Sequence, residues 1–242
     1  MLLVCAMATA HAARVTDMAE NGALRLDDDR VVTLRGVWLP DEFHAAAQAL
    51  AVGREVELQS EMRDRHGNLQ AMMMTDGQSL QALLLAVGLA QVRPQVGMDD
   101  VMERFYAAET IARDKGLGVW ASTDNGLRTP ANVAQRIGHF AVAQGTVVDV
   151  ATAKGTTYVN FGDDWRTDFT LALAPGLTRT MKVKDWVGRT VRVRGWVQSY
   201  NGPLIAITNK YQVELLFMPI VSDKHEGAPR DSTAESGTGE GG

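Results

Sequence analysis

One cysteine, Cys5, stands in a chain of 242 residues. An internal disulfide is excluded, and compartment cannot be read from cysteine pairing. No apolar run is long enough to cross a bilayer. No second His or Cys stands at zinc-ligand spacing from His44 or His66, so both read as surface histidines. Basic charge is also short. The formal charge is −5, which excludes a general polyanion binder. Counted by segment it is −6 for residues 13–121, +4 for 122–221 and −3 beyond. Any attraction for nucleic acid therefore belongs to the basic middle segment.

Hydrophobic residues make up 45% of the chain, an ordinary globular share. Residues 1–13 need a separate reading. Leu2 to Ala10 is apolar and Ala10-His-Ala12 fits a cleavage site, as in a signal peptide without its usual positive start. The alternative is an apolar, frayed N-terminus. The first reading makes the protein periplasmic or secreted, the second leaves it cytoplasmic.

The chain is organised around Arg30-Val-Val-Thr-Leu-Arg-Gly-Val-Trp-Leu-Pro-Asp-Glu42. Arg14–Glu20, Ala23–Leu26 and Arg30–Val37 read as three strands, with Asn21-Gly22 and Asp27-Asp-Asp29 as turns. Pro40 followed by two acids suits a helix start. An Ala-rich helix over Asp41–Val52 follows, stopped by Gly53. Glu55–Leu58 and Leu69–Met74 are a fourth and fifth strand around the turn Arg63–Asn68. Helices are expected over Gln78–Val87 and Asp99–Lys115. Five strands with a helix after the third describe an OB-type barrel.

Residues 122–137 read as a linker. Strands are expected over Phe140–Val150, Thr156–Phe161, Asp168–Leu173, Thr190–Val197, Leu204–Thr208 and Gln212–Leu216, with a short helix at Val183–Val187. This is a second barrel of the same kind, over residues 138–221. Residues 222–242 lack apolar periodicity and read as a disordered tail.

Four motifs follow one another in the first part: Leu34-x-Gly-Val-x-x-Pro40, Arg63-Asp-Arg-His-Gly67, Leu85-x-x-Gly-Leu-Ala90 and Gly116-Leu-Gly-Val-Trp120. In this order and at these intervals, residues 14–121 resemble the thermonuclease (staphylococcal-nuclease-like) family. The segment after them resembles the small β-domain that often follows thermonuclease domains in bacterial proteins. The fold class implied is mainly β with α, a helix-bearing OB-type barrel and then a smaller OB-like β-barrel.

The resemblance implies phosphodiester cleavage with one calcium ion, an activated water and two arginines. Calcium takes hard carboxylate oxygens, and the arginines clamp the phosphate as charge develops. Here the family's first metal acid falls on Gly22 and the second on Trp38, followed by Leu39. The two arginines fall on Thr33 and Asn68. Only Asp41, at the catalytic glutamate, keeps an acid, with Glu42 adjoining.

Other residues offer weaker signals. Arg35 leaves the same strand face as Thr33 and could reach a phosphate, or it is a solvated barrel arginine. Asp27, Asp28 and Asp29 read as turn residues bonded to local backbone. Met72, Met73 and Met74 read as packing. In the second barrel, period-two alternation puts Arg192, Arg194 and Trp196 on one face, and Tyr158 with Asn160 on another. Arginine beside aromatics is the composition of a single-strand stacking platform. The same residues also suit a barrel rim or an interdomain contact. In the latter case the acidic and basic barrels dock on each other.

The expectation is a thermonuclease-like protein without phosphodiesterase activity. It would act as a binding or scaffolding module for single-stranded nucleic acid or another protein, and no cofactor is expected. The alternative is a calcium-dependent nuclease with a relocated site built from Glu20, Asp41, Glu42 and Arg35.

Overall fold

The computed structural model describes residues 12–164 and 166–216. The leader reading, apart from its last two residues, and the tail reading lie outside them. The chain begins with strands β1 (Ala13–Met18), β2 (Leu24–Leu26) and β3 (Val31–Leu34). A short β4 (Val37–Trp38) and helix α1 (His44–Ala51) follow. Next come β5 (Glu55–Arg63), β6 (Leu69–Thr75) and β7 (Gln78–Ser79). Helix α2 (Leu80–Ala86), β8 (Gln91–Val92) and helix α3 (Asp99–Asp114) complete the first unit.

Strand β1 pairs with β2 and β5, β2 with β3, β5 with β6, and β3 with β6 in parallel. The ring closes on itself, with α1 between its third and fourth strands, as an OB-type barrel. Val15, Leu24, Val32, Val56, Ala71 and Met73 are buried inside it. Strand β5 runs five residues beyond its expected end. Its register shifts between Gln59 and Met62, and Ser60 there has φ 51°. Such a bulge bends a strand enough to turn a barrel corner.

Two of the sequence motifs meet at one close approach. A Cβ on Gly88 would lie 2.3 Å from the carbonyl oxygen of Leu117, and one on Gly118 would lie 2.1 Å from that of Gly88. The Val119 amide donates to that Gly88 oxygen at 2.7 Å. Only glycine lets the two backbones meet, and the contact ties the end of α2 to the segment after α3.

The expected single strand Arg30–Val37 is two strands. Gly36, at φ 85°, turns the chain. Val37 and Trp38 then pair with Val92 and Gln91. The side chain of Trp38 thereby leaves the barrel ring and faces the second unit.

The second unit contains β9 (Phe140–Thr146), β10 (Asp149–Ala153), β11 (Thr156–Asn160), β12 (Thr170–Leu173) and helix α4 (Pro175–Thr180). It ends with β13 (Thr190–Ser199), β14 (Pro203–Ile207) and β15 (Val213–Leu216). Strands β9 and β10 are one bent strand, broken at Val147-Val148. Pairing runs β10–β11–β12–β14–β13–β9, with β12 and β14 parallel. This is the strand order of the first barrel repeated, with β15 added beside β13. The helix lies earlier than expected, at Pro175–Thr180, with proline where an N–H is spare. Val183–Trp186 is a single 3₁₀ turn. Val159, Leu171, Trp186, Val191, Val193 and Ile205 fill a core separate from the first. Residues 122–137 connect the units and are packed, with Val133 buried.

Candidate functional site: the mouth of the first barrel and the seam beside it

The turn before β2 is drawn tight by three bonds, one of them from the Ala19 amide to the Ala23 carbonyl at 2.8 Å. The Gly22 amide donates to the Ala19 carbonyl at 2.8 Å, and the Ala23 amide to Asn21 Oδ1 at 3.1 Å. Gly22 has φ 78°, and a Cβ placed on it would stand 2.9 Å from Nε2 of His44. His44 opens α1, and helical side chains lean towards the N-terminus. Its Nε2 lies 3.3 Å from the Leu39 carbonyl and 3.7 Å from Asp41 Oδ1. The His44 side chain is only 16% exposed, so it is not the surface histidine expected. Its ring occupies the space that a carboxylate at position 22 would need. The sequence signal was available: a histidine in the first turn of α1, opposite a turn that lacks its acid.

Asp41 points outward, its side chain 94% exposed. Glu42 is held elsewhere. It accepts from Ser122 Oγ at 3.0 Å and from Asn125 Nδ2 at 2.9 Å, and Asn125 Oδ1 accepts from Arg136 at 2.9 Å. Glu20 is exposed on its own turn. The four members of the relocated set do not converge.

Trp38 is half-buried in a three-ring cluster. Its ring centroid is 5.2 Å from Trp196, edge to face, and 5.9 Å from Phe140. The residue at the second metal position is therefore part of the seam between barrels.

The phosphate positions are equally committed. Thr33 sits half-buried on β3. Asn68 donates through Nδ2 to Asp64 Oδ2 at 2.9 Å, closing its own turn. That bond, with the backbone amides of Asn68 and His66, holds the Asp64 carboxyl below the usual range. Arg35 is neither solvated nor at a phosphate site. It is buried, and its guanidinium donates to the carbonyls of Ser60, Val96 and Gly97. The arginine thus pins the loop before α3 to the bulge of β5.

The stacking face expected on β13 is an interdomain face. Arg194 has no exposed surface. Its Nη1 lies 2.8 and 2.9 Å from the two carboxylate oxygens of Glu109 and donates to the Val92 carbonyl, while Nη2 meets Glu214. Its guanidinium also stacks 4.6 Å from the Tyr106 ring. Burial alone would lower the Arg194 pKa, but Glu109, Tyr106 and Glu214 outweigh it and the net shift is upward. Arg192 bonds Gln144 Oε1 at 2.9 Å and Glu214 at 3.4 Å. Trp196 belongs to the ring cluster with Trp38. Asn209 Nδ2 reaches the Gln95 carbonyl, Lys210 reaches Asp99, and the Tyr106 hydroxyl donates to the Tyr211 carbonyl. Of the residues singled out on the second barrel, Tyr158 and Asn160 stand away from this seam, on β11.

The calcium implied by the family likeness does not fit the residues here. Gly22 has no ligand, Trp38 is an indole in an apolar cluster, and Asp41 is a single carboxylate. Calcium takes six to eight oxygens. Among the described residues no group of three His, Cys, Asp or Glu could hold a metal ion.

Residues 41–122 match the family model of the Staphylococcal nuclease homologue. That segment is a nuclease-like domain. The match starts at Asp41, so Gly22 and Trp38 lie before it. A search of curated proteins found no match.

Proposed function

We propose that the nuclease-like barrel does not cleave phosphodiesters and that the chain works as a binding or scaffolding module. The observation that carries this reading is the ring of His44 seated against Gly22, beside a Trp38 built into the seam. Two metal acids are replaced by groups with structural duties, and both phosphate arginines are absent. Removing one preorganised charge-stabilising group costs on the order of 3–4 kcal/mol of transition-state stabilisation. Such losses do not simply add, but a lone exposed Asp41 leaves little from which to assemble a transition state. The rival relocated site is disfavoured because Glu42 and Arg35 are already engaged.

The test is direct. The protein is incubated with single-stranded DNA and RNA, with calcium or with chelator. No cleavage above a buffer control is expected in either case. Chelator-sensitive cleavage that disappears in Asp41→Ala would overturn the reading.

A further inference from the structure

The outer face of the second barrel, away from the seam, carries a groove of about 570 Å³. One cross-strand row runs Asp149, Asn160, Thr170, Leu204, and the next runs Ala151, Tyr158, Ala172, Ala206. Ala151 and Ala153 line the groove beside Tyr158, small side chains next to an aromatic wall. Tyr200, 63% exposed, stands at its rim on the turn between β13 and β14. That turn is rigid. Gly202, at φ 92°, lies so close to the Thr167–Asp168 backbone that a Cβ would be 2.6 Å from the Thr167 carbonyl oxygen.

The floor holds an unspent donor. Asn160 is only 6% exposed. Its Oδ1 accepts from Thr170 Oγ1 at 3.1 Å, while its Nδ2 has no partner among the described residues. That donor is open to the groove, whose lining includes Asn160, and is free to bond a ligand.

We propose that this groove binds a neutral saccharide. Tyr158 and Tyr200 would stack on the apolar faces of sugar rings, Asn160 Nδ2 would donate to a ring or hydroxyl oxygen, and Asp149 and Asp163 would accept from hydroxyls. The size suits a small ligand, and this face of an OB barrel, between its first and last hairpin loops, is one that takes oligosaccharides or oligonucleotides. Charge decides between the two. The groove offers two carboxylates, Asp149 and Asp163, against one ammonium, Lys154, so a phosphodiester chain would meet net repulsion. The inference does not depend on whether the first barrel cleaves anything.

The full chain, isotope-labelled, is titrated with cellotriose, maltotriose and chitotriose, and separately with hexathymidylate, and amide shifts are followed by NMR. At least one trisaccharide should move the resonances of Tyr158, Asn160 and Tyr200 in a saturable way. Tyr200→Ala, at an exposed position, should keep the spectrum of a folded protein and weaken that binding about tenfold, the effect of removing an aromatic anchor. Asn160→Asp should weaken it too. No saturable shift with any of the three sugars overturns the proposal. Shifts with hexathymidylate alone, or binding unchanged in Tyr200→Ala, also overturn it.

Discussion

Arg194 on the second barrel and Glu109 on the first form a two-oxygen ion pair with no exposed surface on either side chain. It joins the two barrels at the centre of their seam. Glu109 also accepts from the Val92 amide at 2.7 Å, which fixes it beside β8. Removing Arg194 leaves the buried Glu109 with Arg113 alone, at 3.5 Å, to balance it, and breaking a buried pair costs about 3–5 kcal/mol. Arg194→Met should lower unfolding stability by that amount in urea, while Arg194→Met with Glu109→Leu should recover much of it. A loss below about 1 kcal/mol in the single variant would contradict a buried pair.

Tyr106 gives the seam a pH limit. Burial pushes its hydroxyl upward, although Arg194 opposes this, and the net shift is raised. In the unfolded chain the phenol ionises near its ordinary value, about 10. A raised folded value means stability is fully present below that pH and is lost as pH climbs towards the folded value. Stability should therefore fall steeply above about pH 10, and Tyr106→Phe should flatten the fall. Equal alkaline slopes for both proteins, followed by denaturant unfolding, would refute this.

The mouth of the first barrel can be probed by restoring what the family likeness places there. Gly22→Asp forces a side chain onto φ 78° and against His44. Strain of this kind costs about 1–3 kcal/mol. His44→Ala opens the space, so Gly22→Asp should cost less in that background. Residues in contact couple by about 0.5–3 kcal/mol in a double-mutant cycle. Additive losses would show that the ring is not seated on the glycine.

Much of this was legible in the residues. The turns at Asn21-Gly22 and Asp64–Asn68, the Ala-rich helix and the repeated order of strands give both barrels from pattern alone. Arg194 shows where pattern stops. Its alternation with Arg192 and Trp196 put it on an outward strand face, and it is on one. Whether that face meets water or Glu109 depends on a contact 85 residues away, which local spacing does not encode. The opposite charges of the two segments were the better clue. Arg35 differs from its expected place for a related reason: its partners are backbone carbonyls, and carbonyls leave no mark in a sequence.

Trp38 is the sharpest test of how far the first barrel has been committed to structure. A carboxylate there would return one metal ligand, but the surrounding groups are Trp196 and Phe140. Trp38→Asp would replace edge-to-face ring contacts with an ion facing two aromatic rings. Truncating a buried tryptophan costs about 3–5 kcal/mol, and aromatic pairs add about 0.5–1.5 kcal/mol beyond burial. Trp38 is half-buried, so a loss of about 2–3 kcal/mol is expected by urea unfolding. The loss should fall on the seam. Protease nicking between residues 122 and 137 should speed up, and Trp196→Ala should add little once Trp38 is gone. Trp38→Phe keeps an aromatic ring and should lose about half as much. If Trp38→Asp were as stable as the parent chain, the indole would be a dispensable filler, and the commitment of this position to the seam would be refuted.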